Sequence, residues 1–342
     1  MSLKVIVTRD FDHMSKVASD LVTERIATVS GERGAFNLGL ATGNSPTGLY
    51  KWLAKAANGG AFDSSKVTTF NLDEYVGLPG ENAQARAMHS ESYSFFMVQE
   101  LYGLLRTKFA QTNVPWGCLI DQDELIRALA ANPGDWVEQG TDKGKAIVIR
   151  SDASSPLLRW VREQVLDAYQ AKILAAGGID LHVIGVGGRG HVAFHECGIP
   201  FEGNGMLLVK LDDNTVANAL SDGHFESERD IPRYAISMGA ELVYRARTVV
   251  LLANGARKAE PVAESLLEEV SEAVPISYGQ RYAQNGGEMI YVIDEAAAAG
   301  VLARRTEIEA RGAQIDDRRD QSTFQPVSAL AFTRDAEAGA LC

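Results

Sequence analysis

The chain has 342 residues, 46% of them apolar, and a formal charge of −12. That apolar fraction is enough to bury a real core, in one large α/β domain or two ordinary ones. The charge argues against a general nucleic-acid or anionic-membrane surface, which needs dominant Lys/Arg clusters, but not against a small anionic substrate held by a few local donors.

Lys4 to Thr8 reads as a first strand, and Asp10 caps the helix after it, whose apolar stripe is Met14, Val17, Ala18, Leu21 and Ile26. Asn37 to Ala41 is a second strand, with Thr42-Gly43-Asn44 as its loop. Ser45-Pro46 predicts a helix start, a capping hydroxyl before a proline at the first helical position. Val67 to Leu72 is a third strand, and His89 to Leu105 an aromatic-rich helix. Residues 113–152 hold Trp116 and Trp136 with little periodicity and read as an insertion. Ser155-Pro156 opens a long helix that Gly177-Gly178 ends near Ala176. Ile179 to Val186 is the next strand. Further strands are expected at Met206 to Leu211, Tyr234 to Met238, Thr248 to Ala253 and Glu288 to Ile293, with helices beginning near Ala256 and Glu295. The alternation predicts a largely parallel sheet covered on both faces. One domain is expected over residues 1–304, followed by a polar extension over 305–342 that wraps the domain or a neighbour.

Ligands of an open parallel sheet bind beyond the carboxyl ends of its strands, and four loops at such ends carry unusual residues. Thr42-Gly43-Asn44-Ser45 offers hydroxyls and free N–H groups at a helix start, an anion site that lacks the spacing and lysine of a Walker loop. Asn71-Leu72-Asp73-Glu74-Tyr75 ends a strand in adjacent carboxylates, candidates for a general base. Gly185-Val186-Gly187-Gly188-Arg189-Gly190-His191 runs on to Glu196, an imidazole for proton transfer with a carboxylate to orient it. Asn254-Gly255-Ala256-Arg257-Lys258 brings two cations to a helix start, which suits a phosphate. Together these loops point to an enzyme acting on a phosphorylated metabolite.

The remaining titratable groups are expected to be structural. His182 lies within an apolar strand, His13 and His224 read as surface positions, and His89 as a cap. His195 stays open as a site residue because Glu196 is its neighbour. The Tyr93, Phe95, Phe96 and Tyr102 cluster reads as core. Cys118, Cys197 and Cys342 are odd in number and widely spaced, which fits a reducing cytoplasm, with Cys197 as a small filler. No signal-peptide pattern and no apolar run of transmembrane length is present. Gly185 to Gly190 matches the GxGxxG dinucleotide fingerprint, but Gly198-Ile199-Pro200 soon interrupts any following helix and the motif lies mid-chain. A nicotinamide-dependent enzyme is therefore disfavoured.

These four loops, in this order, resemble the glucosamine-6-phosphate deaminase and 6-phosphogluconolactonase superfamily over roughly residues 1–300. Phe70-Asn71-Leu72-Asp73-Glu74-Tyr75-Val76-Gly77-Leu78-Pro79 is close to the deaminase signature. The lactonase branch has Asp-Glu-Arg where this chain has Asp73-Glu74-Tyr75. The resemblance implies a Rossmann-like three-layer α/β/α domain and a cytoplasmic enzyme that isomerises a 2-amino-2-deoxyhexose 6-phosphate and releases ammonia. It implies Asp73 as the base, His191 as the ring-opening acid–base and Glu196 as its orienter. Thr42, Gly43, Asn44, Ser45 and Lys258 would hold the phosphate, with Glu74, Gly187 and Arg189 in the binding set. No metal and no cofactor is expected. The partner is a small sugar phosphate rather than a nucleic acid or membrane, and a homo-oligomer is compatible with the tail.

Three departures stand out. Arg189 replaces an active-site aspartate of the family, and its cation is expected to favour ionised Asp73. Leu220 stands where the family has a substrate-binding arginine, so Arg189 either supplies the missing cation or points outward. Cys197-Gly198-Ile199-Pro200 lacks the serines and arginine of the family's regulatory phosphate site, so allosteric activation by an amino-sugar phosphate is expected to be absent. Alternatives are a 6-phosphogluconolactonase-like hydrolase and a non-catalytic sugar-phosphate sensor.

Overall fold

A central strand such as Thr248–Ala253 is apolar at every position after its first, and its side chains alternate between two separate hydrophobic clusters. Val249, Leu251 and Ala253 face one layer; Val250 and Leu252 face the other. Such a strand is stable only when helices cover both sides of its sheet. The computed structural model, which describes residues 2–141, 144–221, 225, 227, 230–321 and 325–332, has that architecture.

Thirteen strands are described: β1 Ser2–Thr8, β2 Phe36–Leu40, β3 Val67–Asn71, β4 Asp73–Val76, β5 Gln111–Asn113, β6 Trp136–Gln139, β7 Lys145–Ile149, β8 Leu181–Ile184, β9 Met206–Lys210, β10 Tyr234–Met238, β11 Thr248–Ala253, β12 Glu288–Asp294 and β13 Gln314–Asp317. Eight form an all-parallel sheet in the order β13-β1-β12-β11-β8-β2-β3-β5. The expected α/β fold with its covered parallel sheet is thus present.

The second sheet is a correction. Strands β9 and β10, read as members of the parallel sheet, instead pair antiparallel in a five-stranded sheet of order β4-β10-β9-β7-β6. Residues 113–152 supply β6 and β7 of this sheet, and their neighbours Gln111–Asn113 form the edge strand β5 of the parallel one. Leu72 links the two sheets. Its N–H donates to the Leu40 carbonyl at 3.0 Å, while its own carbonyl accepts from Met238 N–H at 2.8 Å. Asp73-Glu74-Tyr75, read as a loop, is therefore a short strand.

Helix boundaries differ in informative ways. Asp10 caps Phe11–Arg33 as expected, accepting from His13 N–H. His13 is not at the surface: it is 1% exposed, and its Nδ1 accepts from Arg9 N–H. His224 lies outside the described residues. The aromatic helix is Tyr93–Glu100 rather than a span from His89, because the Ser92 hydroxyl accepts from Phe95 N–H and fixes the start there. Ser155 caps a helical run through Pro156–Trp160, Val161–Asp167 (a π segment) and Ala168–Ala175. Among the described residues no helix is long and apolar enough to cross a membrane.

Candidate active site

Strands β11, β8, β2 and β3 are consecutive in the parallel sheet, so their carboxyl-end loops meet side by side. They line one cleft of about 310 Å³. Thr42, Gly43, Asn44, Ser45, Asp73, Gly187, His191 and Lys258 all face it, so most of the residues singled out from sequence come together. A larger hollow of about 780 Å³ lies beside Gly198, Phe201 and Arg281, and none of these residues lines it.

His191 Nδ1 lies 3.5 Å from Glu196 Oε2, which leaves Nε2 toward Gly187 on the cleft side. Position 187 admits only glycine without displacing the ring: a Cβ there would sit 2.0 Å from His191 Nε2. Glu196 is 2% exposed. Burial pushes its carboxyl up, but hydrogen bonds from His191, the Thr215 hydroxyl and Asp212 N–H outweigh that and hold it below the usual range. Ala193 has φ of 51°, the one non-glycine residue described with a left-handed backbone. The kink lets His191 and Phe194 both line the cleft, while the intervening turn closes with His195 N–H on the Val192 carbonyl. Such strain, of order 1–2 kcal/mol, persists only where surrounding contacts enforce it.

His195 turns inward. It is fully buried, its Nε2 lies 3.0 Å from the Ile199 carbonyl and its Nδ1 accepts from Ala240 N–H. Burial lowers its pKa to about 4, so it stays neutral and structural. His182 is likewise a buried core residue with a pKa lowered to about 4 by burial.

Asp73 follows the crossing at Leu72 and is 5% exposed. Its Oδ1 has no hydrogen-bond partner among the described residues. Burial, with the charge of Glu74 added, holds its carboxyl well above the ordinary range. The expectation that the Arg189 cation would favour ionised Asp73 therefore fails, because desolvation dominates. Beneath it, Tyr169 Oη donates to the Asn71 carbonyl at 2.9 Å and Tyr102 Oη to Asn71 Oδ1 at 2.9 Å, fixing the residue at the end of β3.

Glu74, expected in the binding set, does not line the cleft. Its carboxylate accepts from Tyr75, Tyr93 and Ser94 N–H and from the Ser94 hydroxyl, so it anchors the start of Tyr93–Glu100. That anchoring carries Tyr93 into the cleft wall, where its ring stacks on Phe194 at 6.0 Å with planes 10° apart. Tyr75 packs against both. Reading Tyr93 as core missed this. The available signal was Ser92, whose capping role puts Tyr93 at the first helical position.

At the other end, Ser45 departs from its expected capping role. The helix Thr47–Asn58 has no side-chain cap, and Ser45 Oγ instead donates to Asn254 Oδ1 at 2.7 Å. That bond ties the loop after β2 to the loop after β11. Gly43 has φ of 89°, a backbone state that costs glycine least. Arg257 and Lys258 line the cleft beside these hydroxyls and N–H groups.

Arg189 does not line the cleft. Its guanidinium is 43% exposed and sits 3.2 Å from Asp212 Oδ2. Leu220 is 37% exposed and also absent from the lining, although Thr215 and Ala219 of the same helix, Asp213–Ser221, contribute to it.

With this geometry in view, the relatives are informative. The chain is 32% identical over 296 residues to the glucosamine-6-phosphate deaminase of Clostridium acetobutylicum, covering 86% of this chain and 99% of that one. The Clostridium perfringens enzyme of the same name is 33% identical over 297 residues, covering 86% and 98%. Among solved structures, a monomeric glucosamine-6-phosphate deaminase superposes with a TM-score of 0.63 at 23% identity, covering 87% of this chain and 100% of that one. The 6-phosphogluconolactonase of Leishmania guyanensis gives 0.54 at 18%, covering 88% and 99%, a likeness of fold. No family model matches the chain.

Proposed function

Because the chain belongs to the glucosamine-6-phosphate deaminase family, we propose that it converts a 2-amino-2-deoxyhexose 6-phosphate into a ketose 6-phosphate and ammonia. It is a sugar-phosphate enzyme of amino-sugar metabolism. The observation that carries the finer reading is the shared cleft: a buried carboxylate oxygen of Asp73, unpartnered among the described residues, and the His191 imidazole at one end, two cations and a hydroxyl loop at the other.

In this reading the phosphate sits among Thr42, Gly43, Asn44, Ser45, Arg257 and Lys258. Charge-assisted hydrogen bonds there are short and strong. The sugar ring extends toward Asp73, with Tyr93 and Phe194 as an apolar wall. His191 removes the C1 hydroxyl proton and delivers one to the ring oxygen as the C1–O5 bond breaks. Glu196 keeps its Nδ1 protonated and its Nε2 available. Asp73, ionised, takes the C2 proton of the open aldehyde and returns it to C1. The resulting C2 iminium adds water, and the C2–N bond breaks to give ammonia. A base with a raised pKa is better matched to a weakly acidic C–H than an ordinary carboxylate, provided the pH keeps it ionised.

Ammonia release from glucosamine 6-phosphate tests this. The wild-type chain releases it, Asp73→Asn does not, and Asp73→Asn still shows a phosphate-dependent melting shift. Wild-type protein that binds the sugar phosphate without turnover would overturn the reading.

A further inference from the structure

Arg257 and Lys258 reach the cleft from one short loop, and that loop is held from behind by a residue that does not line the cleft. Strands β11 and β12 run parallel with Ala253 opposite Ile293, so the next step brings Asp294 level with Asn254. Asp294 is 7% exposed, and both its carboxylate oxygens accept from Gly255 N–H at 3.0 Å. Its Oδ1 also accepts from Ala297 N–H at 2.8 Å. The Gly255 carbonyl in turn accepts from Lys258 N–H at 3.0 Å, closing the turn that carries both cations to the cleft. We propose that Asp294 is a positioning residue for substrate binding: its carboxylate fixes the turn 255–258 so that Arg257 and Lys258 face the phosphate, without touching the phosphate itself.

The backbone of the loop is why a tie is needed. Gly255 has φ of 87° and ψ of 154°, a state open to glycine and costly to other residues. Glycine populates negative φ as readily, so a contact must select this state. Asn254 is bound from the front by Ser45 Oγ at 2.7 Å, and Asp294 grips the next N–H from the back. Hydrogen bonds from N–H groups to a carboxylate are among the stronger ones in proteins. Strand β12, paired on one side with β1 and on the other with β11, gives that carboxylate a rigid base. Its negative charge is no help to a phosphate, since a like charge nearby weakens anion binding. What the loop gains from Asp294 is therefore an acceptor oxygen in a fixed place. This role rests on the proposed phosphate site.

The test compares Asp294→Ala and Asp294→Asn with a control, Thr8→Val. The control removes the bond from the Thr8 hydroxyl to the Ile293 carbonyl, at the same end of β12, and leaves Gly255 alone. KM and kcat for glucosamine 6-phosphate are read beside two quantities that need no turnover: hydrogen exchange of the Gly255 amide and the melting shift given by inorganic phosphate. Asp294→Ala speeds the exchange, shrinks the phosphate shift and raises KM about tenfold or more, with kcat within about twofold of wild type. Asp294→Asn keeps an oxygen for both N–H groups that Oδ1 now serves, so its exchange and KM stay near wild type. Thr8→Val lowers Tm without moving KM. A KM and phosphate shift in Asp294→Ala no different from those of Thr8→Val overturn the proposal, as does an Asp294→Asn chain that behaves like Asp294→Ala. Exchange and phosphate binding that follow the expected pattern in a chain without turnover would count against the proposed reaction alone.

Discussion

At the residue scale, the distribution of charge decides the chemistry. Among the described residues, Asp73 is buried without a partner for Oδ1, while Glu74 beside it accepts four hydrogen bonds. The two carboxylates therefore divide their roles: Glu74 anchors a helix, and Asp73 is left to accept a proton. Since Asp73 must be ionised to act and its pKa is raised by burial, turnover should fall as pH drops through a midpoint above the ordinary carboxylate range. Glu74→Gln removes the like charge, so the acid limb should move to lower pH, read from kcat against pH. Arg257→Gln should raise KM for the sugar phosphate about tenfold or more with little change in kcat, as loss of one charge-assisted hydrogen bond predicts. Arg189→Gln should leave KM unchanged, because its guanidinium is held by Asp212 outside the cleft.

At the element scale, the site is made by loops that short, firmly paired strands hold at fixed separation. Gly187→Ala should preserve folding, read by circular dichroism, and lose most activity, because its Cβ would occupy the space of the His191 ring. The loops after β2, β3, β8 and β11 were legible because each follows an apolar run and carries residues that a plain turn does not need. Strand direction was not legible. Met206–Lys210 and Tyr234–Met238 are largely buried on both faces, so their apolar signature matches that of a parallel strand, and only tertiary pairing makes them antiparallel. Glu74 looked like a site residue because it adjoins Asp73, yet a strand sends neighbouring side chains to opposite faces. The outward turn of Arg189 was one of two readings left open, and what separates them is Asp212, a partner more than twenty positions downstream whose pairing no local pattern shows.

At the scale of the whole molecule, the extension after residue 304 completes the parallel sheet away from the cleft. Gln314–Asp317 pairs with β1, and Val327 N–H donates to Asp12 at the start of the first helix. Ending the chain at residue 312 would expose β1 as the edge of the sheet and remove the buried Ile315 and Val327. The melting temperature should fall by roughly 5 °C or more while KM for the sugar phosphate holds, since none of these residues lines the cleft. The central claim is that one cleft performs an isomerisation that ends in loss of nitrogen. It is tested most directly by quantifying ammonia and ketose 6-phosphate together from a panel of 2-amino-2-deoxyhexose 6-phosphates, beside 6-phosphogluconolactone and the Asp73→Asn variant. Equimolar ammonia and ketose phosphate from at least one amino sugar, absent in Asp73→Asn, is the predicted result; hydrolysis of the lactone with no ammonia from any amino sugar would contradict it.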